Sequence, residues 1–580
     1  MRKYSNPMIF LFSIILISGS ALGQTNISTI EGMIKNNQTK TISIGDSLVH
    51  ITEAGGFLFQ TELTAPRLFL VAYQDRQFEI FVEPGEKMEM AFDADNIGNS
   101  IKFKGNSPET NTCLFEIADL YVRNRGYFQT GSGEWKNLYS RDEQGFLLEL
   151  DSLKTVFLKP LDELAGNGKN VNAAFLFQRR KGLDFTFDWM ILQYPQFHNR
   201  FTGEQVSLTK KTKEYLESID LDNPDFTGID EYVDLGTALL HGKIQKEFLS
   251  GSDVEHSDNR WLKAAFNVIE KTFVNQKVID FWRYQSLKNH IDNNGVKHIA
   301  PFLELFNRYC DSEELKQNIN SLYRKEVEQR RDHPVFTYKT IDGFNLDAHV
   351  FIPPGLQNGE NRPAIIYFHG GSWSEGKPDW QFGYSEYGFV AVSVEYRTYD
   401  RYGKLPFEQI ADAKSAIRWM RQHAERLHID PDKIIASGNS AGGHLALCTA
   451  MLDTLDEPGE DRAVSSKPNA LILTSAVYDV SEGVWFDYLV DDKNTLKAIS
   501  PLRQIKADLP PMLIFHGTAD HYSSPYRYCR QFVADMKKAG NKIDFYPIQD
   551  KGHFLWNYGE YWQTAAKAKK EFLTKIGYIR

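Results

Sequence analysis

Ile434-Ile435-Ala436-Ser437-Gly438-Asn439-Ser440-Ala441-Gly442-Gly443-His444-Leu445-Ala446-Leu447 is the stretch on which the reading turns. The apolar run Ile434 to Ala436 reads as a buried strand, the glycine-rich run as a sharp turn, and the apolar run His444 to Met451 as a helix. A serine hydroxyl is a poor nucleophile, and a strand-to-helix elbow projects its Oγ away from the backbone. Gly438 and Gly442 permit the close approach that such a turn needs. The helix beginning beyond Ser440 adds backbone N–H groups and a positive end where an oxyanion would develop. Ser440 is therefore the leading nucleophile. The competing reading is a glycine-rich helix entry that Ser440 merely caps.

A serine nucleophile needs a base, and the base needs an acceptor for its other ring nitrogen. Downstream, the strand Met512 to Phe515 leads into His516-Gly517-Thr518-Ala519-Asp520, and the strand Asp544 to Pro547 leads into Gln549-Asp550-Lys551-Gly552-His553-Phe554. The chain order Ser440, Asp520, His553 is that of a nucleophile, acid and histidine placed at three strand ends. His516 and His369 rival His553, but both sit directly at strand ends before small residues and fit an ordering role in turns. Asp550 rivals Asp520, but its nearness to His553 in sequence would strain their mutual orientation. Asp412, at a helix start after Pro406, reads as a cap or ion-pair member.

Upstream of the elbow, strand Ala364 to Phe368, loop His369-Gly370-Gly371-Ser372-Trp373, strand Phe389 to Val394 and helix Ile410 to Ala424 form a βαβ texture with buried parallel strands. Gly370 and Gly371 can bring backbone N–H groups to a carbonyl oxygen, joined by that of Ala441, as an oxyanion hole. The alternative is a tight connection that needs positive φ. Ser372 would orient the loop. Trp373, Tyr396, Trp556 and the aromatic segment around Trp485, Phe486 and Tyr488 are candidate pocket walls, with ordinary packing the competing role for each ring.

This texture starts where the helical pattern stops, at Arg330 to Pro334, with a hairpin around Asp342-Gly343. It defines an α/β domain over residues 331–580. Ahead of it, residues 109–330 place apolar residues at helical spacing, as in Phe146 to Phe157, Trp261 to Phe273, Phe302 to Tyr309 and Leu315 to Val327. Residues 24–108 alternate short strand-like runs, Leu58 to Thr61, Leu68 to Tyr73, Phe78 to Val82 and Met88 to Phe92, with turn residues, which predicts a small antiparallel sheet or sandwich. The first 23 residues read as a signal peptide: Arg2 and Lys3, the apolar run Ile9 to Ile17, then small residues to Gly23. The alternative is a retained membrane anchor, for which the run is short. No later run is long enough to span a bilayer, so an exported mature body, periplasmic or extracellular, is expected.

A chain of 580 residues exceeds one compact core. Cleavage near Gly23 would take Arg2 and Lys3 from its 66 basic residues, leaving 64 against 76 acidic ones and a charge of −12. That balance argues against a nucleic-acid partner. Cys113, Cys310, Cys448 and Cys529 are scattered, with no metal-site spacing and no disulfide framework. The oligomeric state is left open.

His369-Gly370-Gly371 with Trp373, the Gly438 to Gly443 elbow, Ser500-Pro501-Leu502, His516 to Asp520, and His553 together resemble the esterase and lipase branch of the α/β-hydrolase superfamily, from about Phe336 to the C-terminus. Ser372 stands where many hormone-sensitive-lipase-like members carry a third glycine, and Asn439 where they carry an acid. Ser372-Trp373 looks closer to feruloyl, acetyl or formamide hydrolases. The front β-region resembles the small β-domain found ahead of thioredoxin-like domains in secreted bacterial proteins. The resemblance implies a serine esterase, needing neither metal nor organic cofactor, that acts through an acyl-enzyme on small acyl esters or on acetyl or feruloyl groups of glycans. A prolyl-oligopeptidase-like serine peptidase is the alternative, although the front half lacks propeller-like repeats. A non-catalytic binding protein on a hydrolase scaffold is a third reading, which the retained Ser440, Asp520 and His553 oppose.

Overall fold

The computed structural model describes residues 26–130, 132–166, 171–250, 259–330, 332–357, 359–378, 384–482, 490 and 492–580. The expected signal peptide and the segment holding Trp485 lie outside the described residues. The chain divides into two compact units, one of residues up to Lys243 with Phe273–Val278, the other of Ile244–Thr272 with Ile279–Arg580.

The first unit opens with strands β1 (Asn26–Lys35), β2 (Thr41–Ile44), β3 (Ser47–His50), β4 (Gly56–Leu63), β5 (Arg67–Tyr73), β6 (Arg76–Val82), β7 (Lys87–Asp93) and β8 (Lys102–Lys104). They form two four-stranded sheets, ordered β4-β1-β7-β8 and β3-β2-β5-β6. The pairing is antiparallel as expected, except that β1 runs parallel to β7. Alternating residues such as Ile42, Val71, Phe78, Ile80, Met88 and Met90 supply a shared core, which also takes Phe115 and Ala118 of the helix Pro108–Arg123. Proline at the first helical position pre-sets that helix start. Buried Asn111 then fastens the helix to β6, its Oδ1 accepting from the Phe81 N–H at 2.6 Å and its Nδ2 donating to the Phe81 carbonyl at 3.0 Å. Longer helices follow at Glu143–Gly166 and Ala173–Thr202.

In the second unit the helices Arg260–Thr272, Ala300–Tyr309 and Glu313–Gln329, with the part of the helix Gln276–Asn294 from Ile279 on, share a core of Leu262, Phe266, Leu287, Ile291, Phe306 and Ile319. The strands then resume: β9 (Val335–Ile341), β10 (Phe344–Phe351), β11 (Arg362–Phe368), β12 (Val390–Val394), β13 (Ile429–Asn439), β14 (Ala470–Thr474), β15 (Met512–Gly517) and β16 (Ile543–Ile548). They build one eight-stranded sheet in the order β16-β15-β14-β13-β11-β12-β10-β9. Pairing is parallel from β12 to β16, while the β9–β10 hairpin and the β10–β12 pair are antiparallel.

Strand periodicity explains why both faces are apolar. Ile434 and Ala436 of β13 join the core that holds the helices Pro406–Gln422 and Ala441–Met451, whereas Ile435 points into the opposite core with Tyr561 and Phe572 of the helix Gly559–Lys575. Because the strands from β11 to β16 are mutually parallel, the loops leaving β11, β13, β15 and β16 all emerge at one sheet edge. That carboxyl edge is where an open α/β sheet gathers its functional side chains. Among the described residues, no helix is long and apolar enough to cross a membrane.

Candidate active site

β13 ends at Asn439 and the next helix starts at Ala441, so Ser440 alone makes the turn, at φ 52° and ψ −122°. A non-glycine residue there is strained by about 1–3 kcal/mol and persists only when its surroundings fix it. The fixing is visible: the Ser440 N–H donates to the Thr474 carbonyl at 3.1 Å, and its own carbonyl accepts from His444 N–H at 3.1 Å. Gly442 leaves no alternative, because a Cβ there would strike the Phe368 and His369 carbonyls, and one on Gly438 would strike the Gly442 backbone. The two glycines thus let the elbow lie against the end of β11.

The three predicted residues meet at this elbow. His553, in the loop after β16, has its Nε2 3.0 Å from Ser440 Oγ and its Nδ1 2.6 Å from Asp520 Oδ2. A carboxylate only accepts, so Nδ1 carries the proton and Nε2 is left to accept from the serine hydroxyl. Asp520 is 2% exposed. Burial alone would push its carboxyl up, but the facing His553 ring, its hydrogen bond, His516 and the Ser524 N–H outweigh that and hold it below the usual carboxylate range. The acid therefore stays ionised beside the histidine, ready to orient it and to stabilise its charged form.

The rival residues have other partners. Asp550 is exposed, takes φ 56°, and its N–H donates to Thr518 Oγ1 at 2.8 Å. Asp412 is fully buried in an ion-pair network with Arg397 at 2.8 Å and Lys339 at 2.7 Å. His516 donates from Nε2 to the Ser524 carbonyl at 2.7 Å, and the Ser524 N–H in turn donates to Asp520 Oδ1 at 3.1 Å. It orders the loop that presents the acid. Burial pushes its pKa down to about 4, so the ring is neutral there.

Gly370 and Gly371 leave β11 beside the elbow, with the Asn439 amide filling the space next to Gly370. Asn439 is itself held by the Tyr367 hydroxyl, which donates to its Oδ1 at 2.5 Å. The helix that begins at Ala441 has no side-chain cap. The elbow and the loop thus bring Gly370, Gly371 and Ala441 to one corner of the sheet edge.

The expected pocket walls separate into two groups. Trp556 stands with its ring 6.2 Å from His553 and 5.4 Å from Phe554, and is part-exposed. Trp373 and Tyr396 are each 1% exposed and present no surface to a ligand. Trp373 lies under its loop, its indole N–H donating to His444 Nδ1 at 3.3 Å, while His444 Nε2 donates to the Ile499 carbonyl at 2.7 Å. Tyr396 stacks on the His369 ring at 4.1 Å and donates to the His369 carbonyl at 2.8 Å. His444, Phe554 and Ser524 escaped the sequence reading. Only Phe554, an aromatic flanking the histidine, carried a local signal.

Residues 349–534 match the BD-FAE family. The chain is similar to a probable isoprenylcysteine alpha-carbonyl methylesterase of Arabidopsis thaliana, 29% identical over 33% of this chain and 45% of that protein. It is also similar to the esterase LipQ of Mycobacterium tuberculosis, 30% identical over 35% of this chain and 52% of that protein. Among solved structures, esterase 2 of Thermogutta terrifontis is 40% identical, covering 43% of this chain and 97% of its own, with a TM-score of 0.40. The chain spans about half the length of the curated relatives it matches. The second unit has the α/β-hydrolase fold, and its Ser440-His553-Asp520 relay has the geometry of a serine hydrolase.

Proposed function

We propose that this protein is an exported serine carboxylic-ester hydrolase acting on short acyl esters, with acetyl or feruloyl groups on glycans as the natural form of substrate. What supports the reading above all is the continuous hydrogen-bonded line from Asp520 Oδ2 through His553 to Ser440 Oγ. The matched family region and the esterases among the relatives favour ester over peptide bonds. The basic pair Arg2-Lys3 followed by the apolar run Ile9 to Ile17 supports export.

In the proposed reaction Ser440 Oγ attacks the ester carbonyl while His553 Nε2 takes the hydroxyl proton. The N–H groups of Gly370, Gly371 and Ala441 receive the negative oxygen, where fixed donors act more strongly than reorienting water. Collapse of the intermediate expels the alcohol, protonated by His553, and leaves the acyl group on Ser440. A water then gives its proton to His553 as it attacks the acyl carbonyl, and Ser440 Oγ leaves, taking that proton back from His553 as the carboxylic acid is released. Trp556 and Phe554 would form an aromatic wall for the acyl or phenolic group.

The test compares the purified protein on p-nitrophenyl acetate, a feruloylated oligosaccharide and a blocked prolyl peptide. The proposal expects ester cleavage with negligible peptide cleavage. Robust peptide hydrolysis without ester turnover would overturn it in favour of a peptidase.

A further inference from the structure

We infer that Asn294 and Glu326, which precede the hydrolase sheet in sequence, are positioning residues for the oxyanion loop. The inference rests on the esterase reading and deepens it.

The loop needs holding. Ser372 and Trp373 are consecutive non-glycine residues at φ 56° and 60°, a region that bulky side chains rarely enter. The chain then folds back on itself, with the N–H groups of Ser374 and Glu375 each donating to the Gly371 carbonyl at 3.0 Å. This return brings Gly376 beneath His369: at φ 140°, a Cβ there would strike the His369 ring and the Gly370 carbonyl. The same His369 ring donates from Nδ1 to that carbonyl at 2.8 Å. Gly376 is thus the backstop of the turn at His369-Gly370, from which the Gly370 and Gly371 N–H groups face an oxyanion in the esterase reading.

The near arm of the loop is fixed by the α/β core. The Trp373 carbonyl accepts from Tyr399 N–H at 3.0 Å and from Gln409 Nε2 at 2.8 Å, and the Ser374 carbonyl accepts from Asp400 N–H at 2.9 Å. The return arm is fixed by the preceding helices. Gly376 N–H donates to Asn294 Oδ1 at 3.3 Å, and Lys377 Nζ donates to Glu326 Oε2 at 2.8 Å and to the Ile291 carbonyl at 3.2 Å. Asn294 and Glu326 are 2% and 6% exposed, and a carboxylate so buried is retained only when paired. A few residues on, Lys297 Nζ reaches Asp347 Oδ2 and Glu395 Oε2, both at 2.6 Å, so the turn carrying Asn294 is itself tied to the sheet. The helices therefore hold the loop against a fixed reference.

Neither residue lies among the reacting groups, so each acts through the Gly370 and Gly371 amides. Misplaced oxyanion donors weaken transition-state stabilisation while leaving ground-state binding nearly intact. Glu326→Gln and Asn294→Ala, made in the full chain, are expected to lower kcat on p-nitrophenyl acetate roughly tenfold with KM within about twofold, a fraction of the effect of deleting a donor outright. Affinity for an aryl trifluoromethyl ketone, which adds to the serine and carries an oxyanion, is expected to fall in parallel with kcat/KM. A merely structural role would lower the thermal midpoint without moving that affinity. The two substitutions break separate contacts, so loss of folding in one leaves the other as the test. If the wild type turns over ester, Ser440→Ala does not, and both variants keep wild-type kcat and ketone affinity, the inference is overturned while the esterase stands. A wild type without ester turnover overturns both.

Discussion

The elbow at Ser440 and the loop at Ser372-Trp373 pose the same physical problem and solve it differently. Both hold non-glycine residues at positive φ near 55° beside the end of β11. At the elbow, most of what enforces the strain lies within the motif: Gly438 and Gly442 let the chain pack against β11, and the helix starts at once. At the loop the enforcing groups come from Asn294, Glu326, Tyr399, Gln409 and His444, spread along the chain. A strained site whose supports are local is readable in a short window of sequence; one whose supports are distant is not.

Four substitutions or conditions would break or sharpen that contrast. The largest effect belongs to Asp520→Asn, in another locally encoded loop. An amide in place of the ionised acid favours the wrong histidine tautomer, and turnover is expected to fall about 10³- to 10⁴-fold in steady-state assays with the fold retained. A loss under tenfold would show that Asp520 is not the orienting acceptor. Next comes Gly442→Ala. Its Cβ meets two carbonyls that cannot retreat without moving β11, so at least about 3 kcal/mol of stability or about 10² in kcat should disappear, read by urea unfolding and ester assay. A tolerated alanine would mean the elbow's tightness has been overstated.

The loop side should respond more mildly and through its supports. Trp373→Phe removes the indole donor and leaves buried His444 Nδ1 unsatisfied, at about 1–3 kcal/mol in urea unfolding; an unchanged midpoint would remove this support from the account. The last effect is graded with pH. Burial pushes His369, His444 and His516 down to about 4 and His349 down to about 3. Their folded pKa values lie below the unfolded value of about 6.5, so the unfolded chain binds more protons between those limits. Stability is therefore full above about pH 6.5 and declines as pH falls toward 4, by at most about 1.4 kcal/mol per pH unit for each histidine. Urea midpoints across pH 7.5 to 4.5 check the sign; a midpoint rising on acidification contradicts it.

The same contrast explains what the sequence made legible. Ser440, Asp520 and His553 each follow an apolar strand closely, and chain order did the rest. The strands β4 to β7 showed their periods, as did the helices over Phe146 to Phe157, Trp261 to Phe273, Phe302 to Tyr309 and Leu315 to Val327. β14 is not legible because Ala470 to Leu473 is a short apolar run, which period alone cannot assign. The helix Ala173–Thr202 falls in the region expected to be helical, but its own bounds are not legible, because its buried residues, Phe185, Thr186, Phe187, Asp188, Trp189 and Met190 among them, are consecutive and mix polar with apolar, and Pro195 interrupts the pattern. Trp373 and Tyr396 look like pocket walls when composition is the only guide. Their burial depends on His444 and His369, and nothing near them in sequence signals it.

One measurement bears most directly on the central claim that Ser440 is the acylated nucleophile. The protein is treated with an activated aryl phosphonate, digested, and the modified peptide identified by mass spectrometry alongside the residual ester activity. The account expects a single adduct, on Ser440, accumulating in step with loss of activity and absent from Ser440→Ala. Stoichiometric inactivation with the adduct on any other residue, or full activity retained with Ser440 modified, would contradict it.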